Sequence, residues 1–207
     1  MMMRKLIRKK GSRMVLAPQR VSLRELPGFI SRPSSDQGTE TEQKNRLSVC
    51  FTGHRYLAAA DVPIVTERLD QLLRQCYERG YRDFLCGGAL GFDTIAGERV
   101  AALQCQHPDV RLIMVLPCSD QSRRWPDNTI ARYERLLYMA DSIRVLAPAY
   151  YNGCMQVRNR YMVDRADLCV CYLRHPKGGT ASTVAYAIKR QVPVINIAME
   201  DTPFPEG

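Results

Sequence analysis

The sequence predicts an α/β fold, in which a single doubly wound domain with a mainly parallel sheet follows a basic N-terminal arm without regular structure. From residue 47 onward, six short apolar runs alternate with five longer amphipathic segments. Parallel neighbours in a sheet require crossover connections, so this alternation is typical of a parallel sheet with helices on both faces. Glycine-rich turns after several of the apolar runs support the same architecture.

The six predicted strands are short and rich in Val, Ile, Leu and Cys. Continuous apolar runs of this length suit strands that are covered on both faces. In chain order they read LSVCFT, DFLC, VRLIMVLP, SIRVLA, LCVCYL and PVINI.

Helical spacing of apolar residues defines the segments between these strands. The first helix carries an apolar stripe that ends before Gly80, formed by Val65, Leu69, Leu72, Leu73, Cys76 and Tyr77. The other four predicted helices cover about 92–106, 126–140, 154–166 and 180–191. No internal repeat and no second core is visible, so we predict one domain over 47–198 and a short tail over 199–207.

Positive charge is concentrated in the predicted arm, residues 1–46. The arm holds eleven Lys or Arg against four Asp or Glu, whereas residues 47–207 hold nineteen against seventeen. Its polar, Ser- and Pro-containing composition predicts disorder, either as a plain solvated tail or as a tether to nucleic acid or an anionic membrane. It has no apolar core of a secretory signal, and no run in the chain is long enough for a membrane span.

Eight cysteines are present, and none forms a CxxC pair. Four of them, Cys50, Cys86, Cys169 and Cys171, lie in the predicted strands, where reduced cysteine behaves as a small hydrophobic residue. This placement favours a reducing, cytoplasmic environment and no structural metal.

Three loops with glycines or hydrogen-bond donors follow the first, second and fifth predicted strands. The carboxyl ends of parallel strands lie on one edge of the sheet, which is where ligands of doubly wound folds bind. We therefore expect one rim to hold the candidate ligand-binding residues of these loops: Thr52, Gly53, His54 and Arg55; Gly87, Gly88 and Gly91; Gly178, Gly179, Thr180 and Thr183.

A phosphate is the ligand that these loops are best suited to bind, because helix N-termini present free N–H groups and a partial positive charge. Glycine would let the backbone approach such a ligand closely. The alternative is purely structural, with the glycines forming turns and the hydroxyls capping helices. The strict GxGxxG and GxxxxGK[ST] phosphate motifs are absent.

Four further polar residues belong to the candidate site. Arg158, Asn159 and Arg160 precede the fifth strand, and an arginine can bind phosphate through charge-assisted bonds. Asp93 opens a helix, where it can complement the helix dipole, accept from a ribose hydroxyl or act as a general base. It is the one catalytic candidate. The segment PCSDQSRRWPDN adds Asp120 and Trp125, the latter either stacking on a base or covering the core.

Four motifs in this order resemble the SLOG superfamily of Rossmann-like proteins, and most closely its YpsA-like branch. They are CFTGHR, LCGGALGFDTIAGE, VRNRYMVDRADLCVCYL and KGGTASTVAYAIKRQVPVINI, which together span roughly 47–198. The resemblance implies a nucleotide or nucleotide derivative as a small-molecule ligand, bound for sensing or regulation. It also implies a homodimer, since superfamily members often pair.

Two related families imply alternative functions. The DNA-processing protein A family binds single-stranded DNA, and its motifs are similar to Gly87–Asp93, Arg158–Arg160 and Gly178–Thr183 here. The lonely-guy phosphoribohydrolases imply an N-glycosidase that acts on nucleotides, but their PGGxGTxxE motif ends in a catalytic glutamate. This chain has no acidic residue between Asp167 and Glu200, so the sequence favours binding over catalysis.

Overall fold

The computed structural model describes residues 29–31, 46–199 and 204. The alternation of strands and helices that the sequence predicts is confirmed, with six parallel strands and five helices. In chain order the strands are β1 (Phe29–Ser31), β2 (Leu47–Gly53), β3 (Tyr81–Cys86), β4 (Arg111–Leu116), β5 (Ser142–Val145), β6 (Leu168–Tyr172) and β7 (Val194–Asn196). The helices are α1 (Asp61–Glu78), α2 (Phe92–Gln104), α3 (Asp127–Met139), α4 (Cys154–Val163) and α5 (Gly179–Lys189).

The seven strands form one sheet in the order β1-β5-β4-β3-β2-β6-β7. The chain moves outward from β2 through β3, β4 and β5, and then returns to the other side of β2 with β6 and β7. All these pairs are parallel. The strand order therefore reverses between β2 and β6, and the crevice at such a reversal is the usual ligand site of doubly wound sheets.

Two hydrophobic cores lie on opposite faces of the sheet, as expected for strands that are covered on both sides. Alternate strand residues such as Phe51 and Phe84 pack with α1, α2 and α3 on one face. Their neighbours Cys50 and Leu85 pack with Met162 of α4 and Ala187 of α5 on the other. The sheet and its two helix layers thus form a rigid base for the loops at the carboxyl edge.

One strand lies outside the six that the apolar pattern predicts. Phe29–Ser31 pairs antiparallel with β5 at the edge of the sheet. It falls within the predicted arm, of which residues 1–28 and 32–45 lie outside the described residues. At the other terminus, the ring of Phe204 lies 6.1 Å from that of Tyr81.

Most of the cysteines are buried inside the domain. Seven of the eight cysteines are buried as free thiols, and only Cys105 is exposed. No helix within the described residues is both long and apolar enough to cross a bilayer.

Candidate functional site

His54 ties together the loops after β2, β3 and β6. Its N–H donates to the Tyr172 carbonyl at 3.3 Å, and its carbonyl accepts from the N–H of Phe92 at 3.1 Å. Its Nε2 accepts from the N–H of Arg174 at 2.9 Å, which requires this nitrogen to be unprotonated. Partial burial, and then the nearby His175, lower the pKa of His54 and favour that neutral form. The three predicted loops therefore meet at one rim.

Two glycines of the turn after β3 have packing reasons for being glycine. Gly91 has φ +80°, and a Cβ there would overlap the backbone of His54 and Arg55. Gly88 has φ +60°, and its Cβ would lie 2.6 Å from Cε of Met114 and 3.0 Å from the ring of Tyr133. Both positions are closed by protein atoms, so contact with a ligand through their α-carbons stays a prediction.

Gly87 makes room for a buried arginine. A Cβ at this position would overlap Nη1 of Arg158, so the guanidinium lies directly over the bare backbone. This nitrogen is 3.7 Å from Oδ2 of Asp93, a separation that makes an ion pair but is too long for a hydrogen bond. Arg158 and Asp93 are only 4% and 3% exposed. The turn, α2 and α4 therefore meet at a buried pair of opposite charges.

Burial dominates the ionisation of Asp93. It raises the pKa of this carboxyl to about 6, although the charge of Arg158 and a backbone hydrogen bond from Ala89 act in the opposite direction. A carboxyl with a pKa in this range can gain or lose a proton near neutral pH, as a general acid or base must. Perturbed groups of this kind are common at functional sites.

A chain of hydrogen bonds leads from this pair to the start of α5. Arg158 Nε donates to Oδ1 of Asn159 at 2.8 Å, and Nδ2 of Asn159 donates to the Thr183 hydroxyl at 2.8 Å. The Thr183 hydroxyl donates in turn to the Gly179 carbonyl at 2.8 Å. Both hydrogen-bonding directions of Thr183 are thereby used within the protein, so this residue positions α5.

The start of α5 is open on its outer side. Gly178, with φ +98°, is the N-cap residue and provides no side chain to cap the first turn. A Cβ at Gly178 or Gly179 would have no atom within 4 Å. Thr180 is buried at 7% exposure, whereas the loop from Arg174 to Gly179 is exposed. This helix start lies beside the strand reversal and has room for a guest.

Three other candidates lie apart from this open space. Thr52 is 5% exposed within the sheet, and a Cβ on Gly53 would overlap the Phe92 side chain. Arg160 is exposed and lies over the ring of Tyr186, with 5.4 Å from its guanidinium carbon to the ring centroid. Residues two apart on a helix point in different directions, so the Arg160 side chain points away from the site that holds the Arg158 side chain. The side chain of Arg55 is exposed on the rim.

The loop after β4 brings in a residue that the sequence analysis did not select. Gln121 is 7% exposed and donates from Nε2 to the carbonyls of Gly87 at 3.3 Å and Gly88 at 3.0 Å. Its neighbour Asp120 accepts from the N–H of Tyr150 at 2.8 Å, which holds the loop in place. Trp125 packs edge-on against Tyr133, with 5.2 Å between ring centroids, and so covers the core.

Comparison with known proteins gives the family. The sequence profile of the YpsA family, described as the YspA SLOG family, matches residues 51–201. This chain belongs to that family. The resemblance that the four motifs carry is thereby confirmed, and the match includes every candidate site residue.

Relatives in bacteria share most of this region. The SPbeta prophage-derived protein YoqJ of Bacillus subtilis is 32% identical over 124 residues, which is 54% of this chain and 72% of YoqJ. A UPF0398 protein of Bacillus licheniformis is 26% identical over 144 residues, covering 66% of this chain and 79% of the relative.

Solved structures confirm the fold. DNA processing protein A from Helicobacter pylori, described for its single-stranded DNA binding mode, is 20% identical with a TM-score of 0.55. The match covers 87% of this YpsA-family chain and 77% of that protein. DNA processing protein A from Streptococcus pneumoniae also has a TM-score of 0.55, at 18% identity, covering 72% of this chain and 49% of the other.

Proposed function

We propose that this protein binds a nucleotide or nucleotide derivative at the carboxyl edge of the sheet, where β2 and β6 meet. The observation that carries the proposal is the uncapped, open start of α5 beside a buried arginine. Gly178 and Gly179 leave space in front of the first N–H groups of the helix. A phosphate placed there would receive these N–H groups and the positive end of the helix dipole.

The hydrogen-bond chain explains why this helix start is a better candidate than an ordinary one. It connects the start of α5, through Thr183 and Asn159, to the buried guanidinium of Arg158. A helix that only needed to begin would not require a fixed link to a buried charge pair. The arrangement orients the phosphate-binding end of α5 relative to the glycine turn, which is the preorganisation that a binding site needs.

Binding and sensing fit the site better than hydrolysis. The only buried carboxylate at the rim is that of Asp93, among the residues that the structure describes, and it is paired with Arg158. The related N-glycosidases place a glutamate in the helix start that corresponds to α5, where this chain has Gly179–Thr183. We therefore assign the site to ligand binding, with an N-glycosidase reaction through Asp93 as the enzymatic alternative.

The proposal is tested by adding bulk at the helix start. The Gly179→Val side chain would enter the open space, since side chains at the start of a helix tilt toward its N-terminus. We expect the affinity for the common nucleoside 5′-monophosphates and diphosphates, measured by calorimetric titration, to fall roughly tenfold or more as the phosphate is displaced. The melting temperature should stay near that of the wild type, because nothing in the protein is displaced.

Ala185→Val is the matched control, since it adds bulk at an exposed position of the same helix. It should leave affinity unchanged and lower the melting temperature slightly, because valine favours a helix less than alanine does. Equal affinities in the Gly179→Val variant and the wild type would contradict phosphate binding at α5. Absence of binding by every nucleotide in the wild type would contradict the proposed function itself.

A second candidate, binding of single-stranded nucleic acid along the same rim, is favoured by exposed aromatic and basic side chains. Tyr56 is 88% exposed and Tyr150 60% exposed, and both lie in loops at the carboxyl edge. The arginines Arg55, Arg123 and Arg124 are also exposed there. Exposed rings that stack on bases, together with cations that contact the backbone, are typical of such interfaces. The nearly balanced charge of residues 47–207 places this candidate second.

Replacing Tyr56 with alanine tests this candidate. If bases stack on the ring, affinity for a mixed-sequence DNA oligonucleotide should fall roughly tenfold, since one stacked base contributes about 1–3 kcal/mol. Fluorescence anisotropy at two salt concentrations measures it. The variant Tyr138→Phe, altered on the exposed surface of α3, is the control. Unchanged binding by the Tyr56→Ala variant would exclude this rim as the interface.

A further inference from the structure

Unpaired buried polar atoms gather around the glycine turn after β3. Among the described residues, three buried side-chain nitrogen or oxygen atoms have no hydrogen-bond partner. They are Oε1 of Gln121, the hydroxyl oxygen of Tyr133 and Nη1 of Arg158. These residues are 7%, 1% and 4% exposed. The three atoms belong to three separate elements, namely the loop after β4, α3 and α4.

All three residues contact the same two glycines. Gln121 donates to the carbonyls of Gly87 and Gly88. The guanidinium of Arg158 lies over Gly87, and a Cβ on Gly88 would be 3.0 Å from the Tyr133 ring. The charge of Arg158 also acts on the Tyr133 phenol, where it opposes the effect of burial on the pKa. The three residues that carry the unpaired atoms therefore surround one turn, beside Asp93.

Several residues with unpaired buried polar atoms around one turn favour a binding site for a polar group of a ligand. Buried polar atoms are almost always paired, because leaving one unpaired costs roughly 1–3 kcal/mol. A fold without a ligand would gain stability by replacing Tyr133 with phenylalanine or by turning the groups toward partners. Three residues with unpaired buried atoms around one turn instead fit a site that holds a polar group of a ligand.

The chemistry of the guest follows from the hydrogen-bonding directions. Gln121 is fixed by its two bonds to carbonyls, which only its amide nitrogen can donate, so Oε1 is an acceptor. Nη1 of Arg158 is a donor. Burial raises the pKa of Tyr133, so its phenol keeps the proton and can donate or accept. An ionised phosphate oxygen cannot donate to Gln121, whereas a hydroxyl can donate to Gln121 and accept from Arg158 or Tyr133.

We propose that Gln121, Tyr133 and Arg158 form a subsite for a sugar hydroxyl of the ligand, beneath the glycine turn. The subsite rests on the proposed nucleotide binding and assigns its ribose end, with the phosphate at the start of α5. It adds Gln121 and Tyr133 to the ligand-binding residues. Ribonucleotides are therefore the ligand class of the site, and the corresponding deoxynucleotides are discriminated against.

The test combines a hydroxyl deletion in the protein with one in the ligand. AMP, GMP, CMP and UMP are titrated calorimetrically beside their 2′-deoxy and 3′-deoxy forms, into the wild type and into the Tyr133→Phe variant. For the ribonucleotide that binds, we expect one deoxy form to bind roughly tenfold more weakly to the wild type. We also expect Tyr133→Phe to weaken binding of the ribonucleotide about fivefold and to reduce that discrimination.

The melting temperature of the free protein distinguishes a ligand-binding site from a site that holds only an ordered water molecule. Tyr133→Phe should leave the melting temperature equal or raise it, since it removes an unpaired buried hydroxyl. The matched control Tyr138→Phe removes a hydroxyl from the exposed part of the same helix, where Tyr138 is 62% exposed. It should leave nucleotide affinity and discrimination unchanged.

The outcomes distinguish the two proposals. Deoxy and ribo forms that bind equally well, or discrimination of the same size in Tyr133→Phe and wild type, would overturn the hydroxyl subsite and leave nucleotide binding intact. A variant with a lowered melting temperature and unchanged discrimination would assign the three atoms to an ordered water and also overturn it. Absence of binding by all ribonucleotides would overturn the proposed function together with the subsite.

Discussion

Replacing Gly87 with alanine is expected to lower the free energy of unfolding by about 3 kcal/mol, because the new methyl group takes the place of the Arg158 guanidinium. The arginine cannot leave without cost, since it is 4% exposed and pairs with the buried Asp93. Forcing the arginine out of its packed position breaks the contacts of a buried side chain, and overpacking of this kind is among the larger effects that a single substitution produces. Urea unfolding of the variant and the wild type measures the loss.

A double-mutant cycle shows whether the guanidinium is the cause. In an Arg158→Leu background the overlapping guanidinium is absent, and Oδ2 of Asp93 remains 2.8 Å from the new Cβ. Gly87→Ala should therefore destabilise this background clearly less than it destabilises the wild type. Gly97→Ala is the control, as a buried glycine in the interior of α2 where the new Cβ would be 3.1 Å from a Leu136 methyl. It should change stability little, because alanine favours the helix. Additive effects of Gly87→Ala and Arg158→Leu would contradict this explanation.

The elements of the fold could be predicted because they depend on patterns that are local in sequence. Apolar runs of four to eight residues, such as VRLIMVLP around β4, are bounded by turns and alternate with helical stripes. The convergence of the three loops followed from the parallel sheet alone. Strand β1 could not be predicted, since its pairing with β5 joins residues more than one hundred positions apart in the chain.

The interior of the site could not be predicted, because it depends on which side chains meet after folding. Gln121 lies in a polar loop whose sequence resembles any exposed turn. Tyr133 shares a helical stripe with Leu136 and Leu137, so its position indicates only a core residue. The roles of the glycines also required the structure, since nothing in LCGGALGFD tells that Gly87 accommodates an arginine from a helix some seventy residues later.

Arg158 and Arg160 illustrate the same limit. The sequence gives no reason to distinguish them, because both are basic residues on one short helix. The geometry of α4 sends the first into the buried site and the second to the exposed ring of Tyr186. Only the register of the helix against the sheet separates them, and that register is set by packing around Met162 and Val163.

The pH dependence of stability should report the ionisation of Asp93. Burial raises its pKa to about 6 from an ordinary value of 3.8, so the folded protein holds this proton more tightly than the unfolded chain does. The resulting stabilisation is complete below pH ~4 and is lost as the pH rises to about 6 and above. A shift of roughly two pKa units corresponds to about 3 kcal/mol.

Asp93→Asn removes this titration while keeping a similar shape. We expect the variant to be more stable than the wild type at pH 7.5, by up to about 3 kcal/mol, and the two to converge near pH 4. Urea unfolding at intervals between pH 4 and pH 7.5 measures the difference and cancels the effect of the other carboxylates, which both proteins share. A difference that does not change with pH would show that Asp93 does not titrate in this range.

Nucleotide affinity of the Asp93→Asn variant should move in the opposite direction from stability, because its amide lacks the charge that accepts from a ligand hydroxyl and balances Arg158. A buried carboxylate that lowers stability at neutral pH is expected where the charge serves binding, so a gain in stability with a loss of affinity would assign Asp93 to the site.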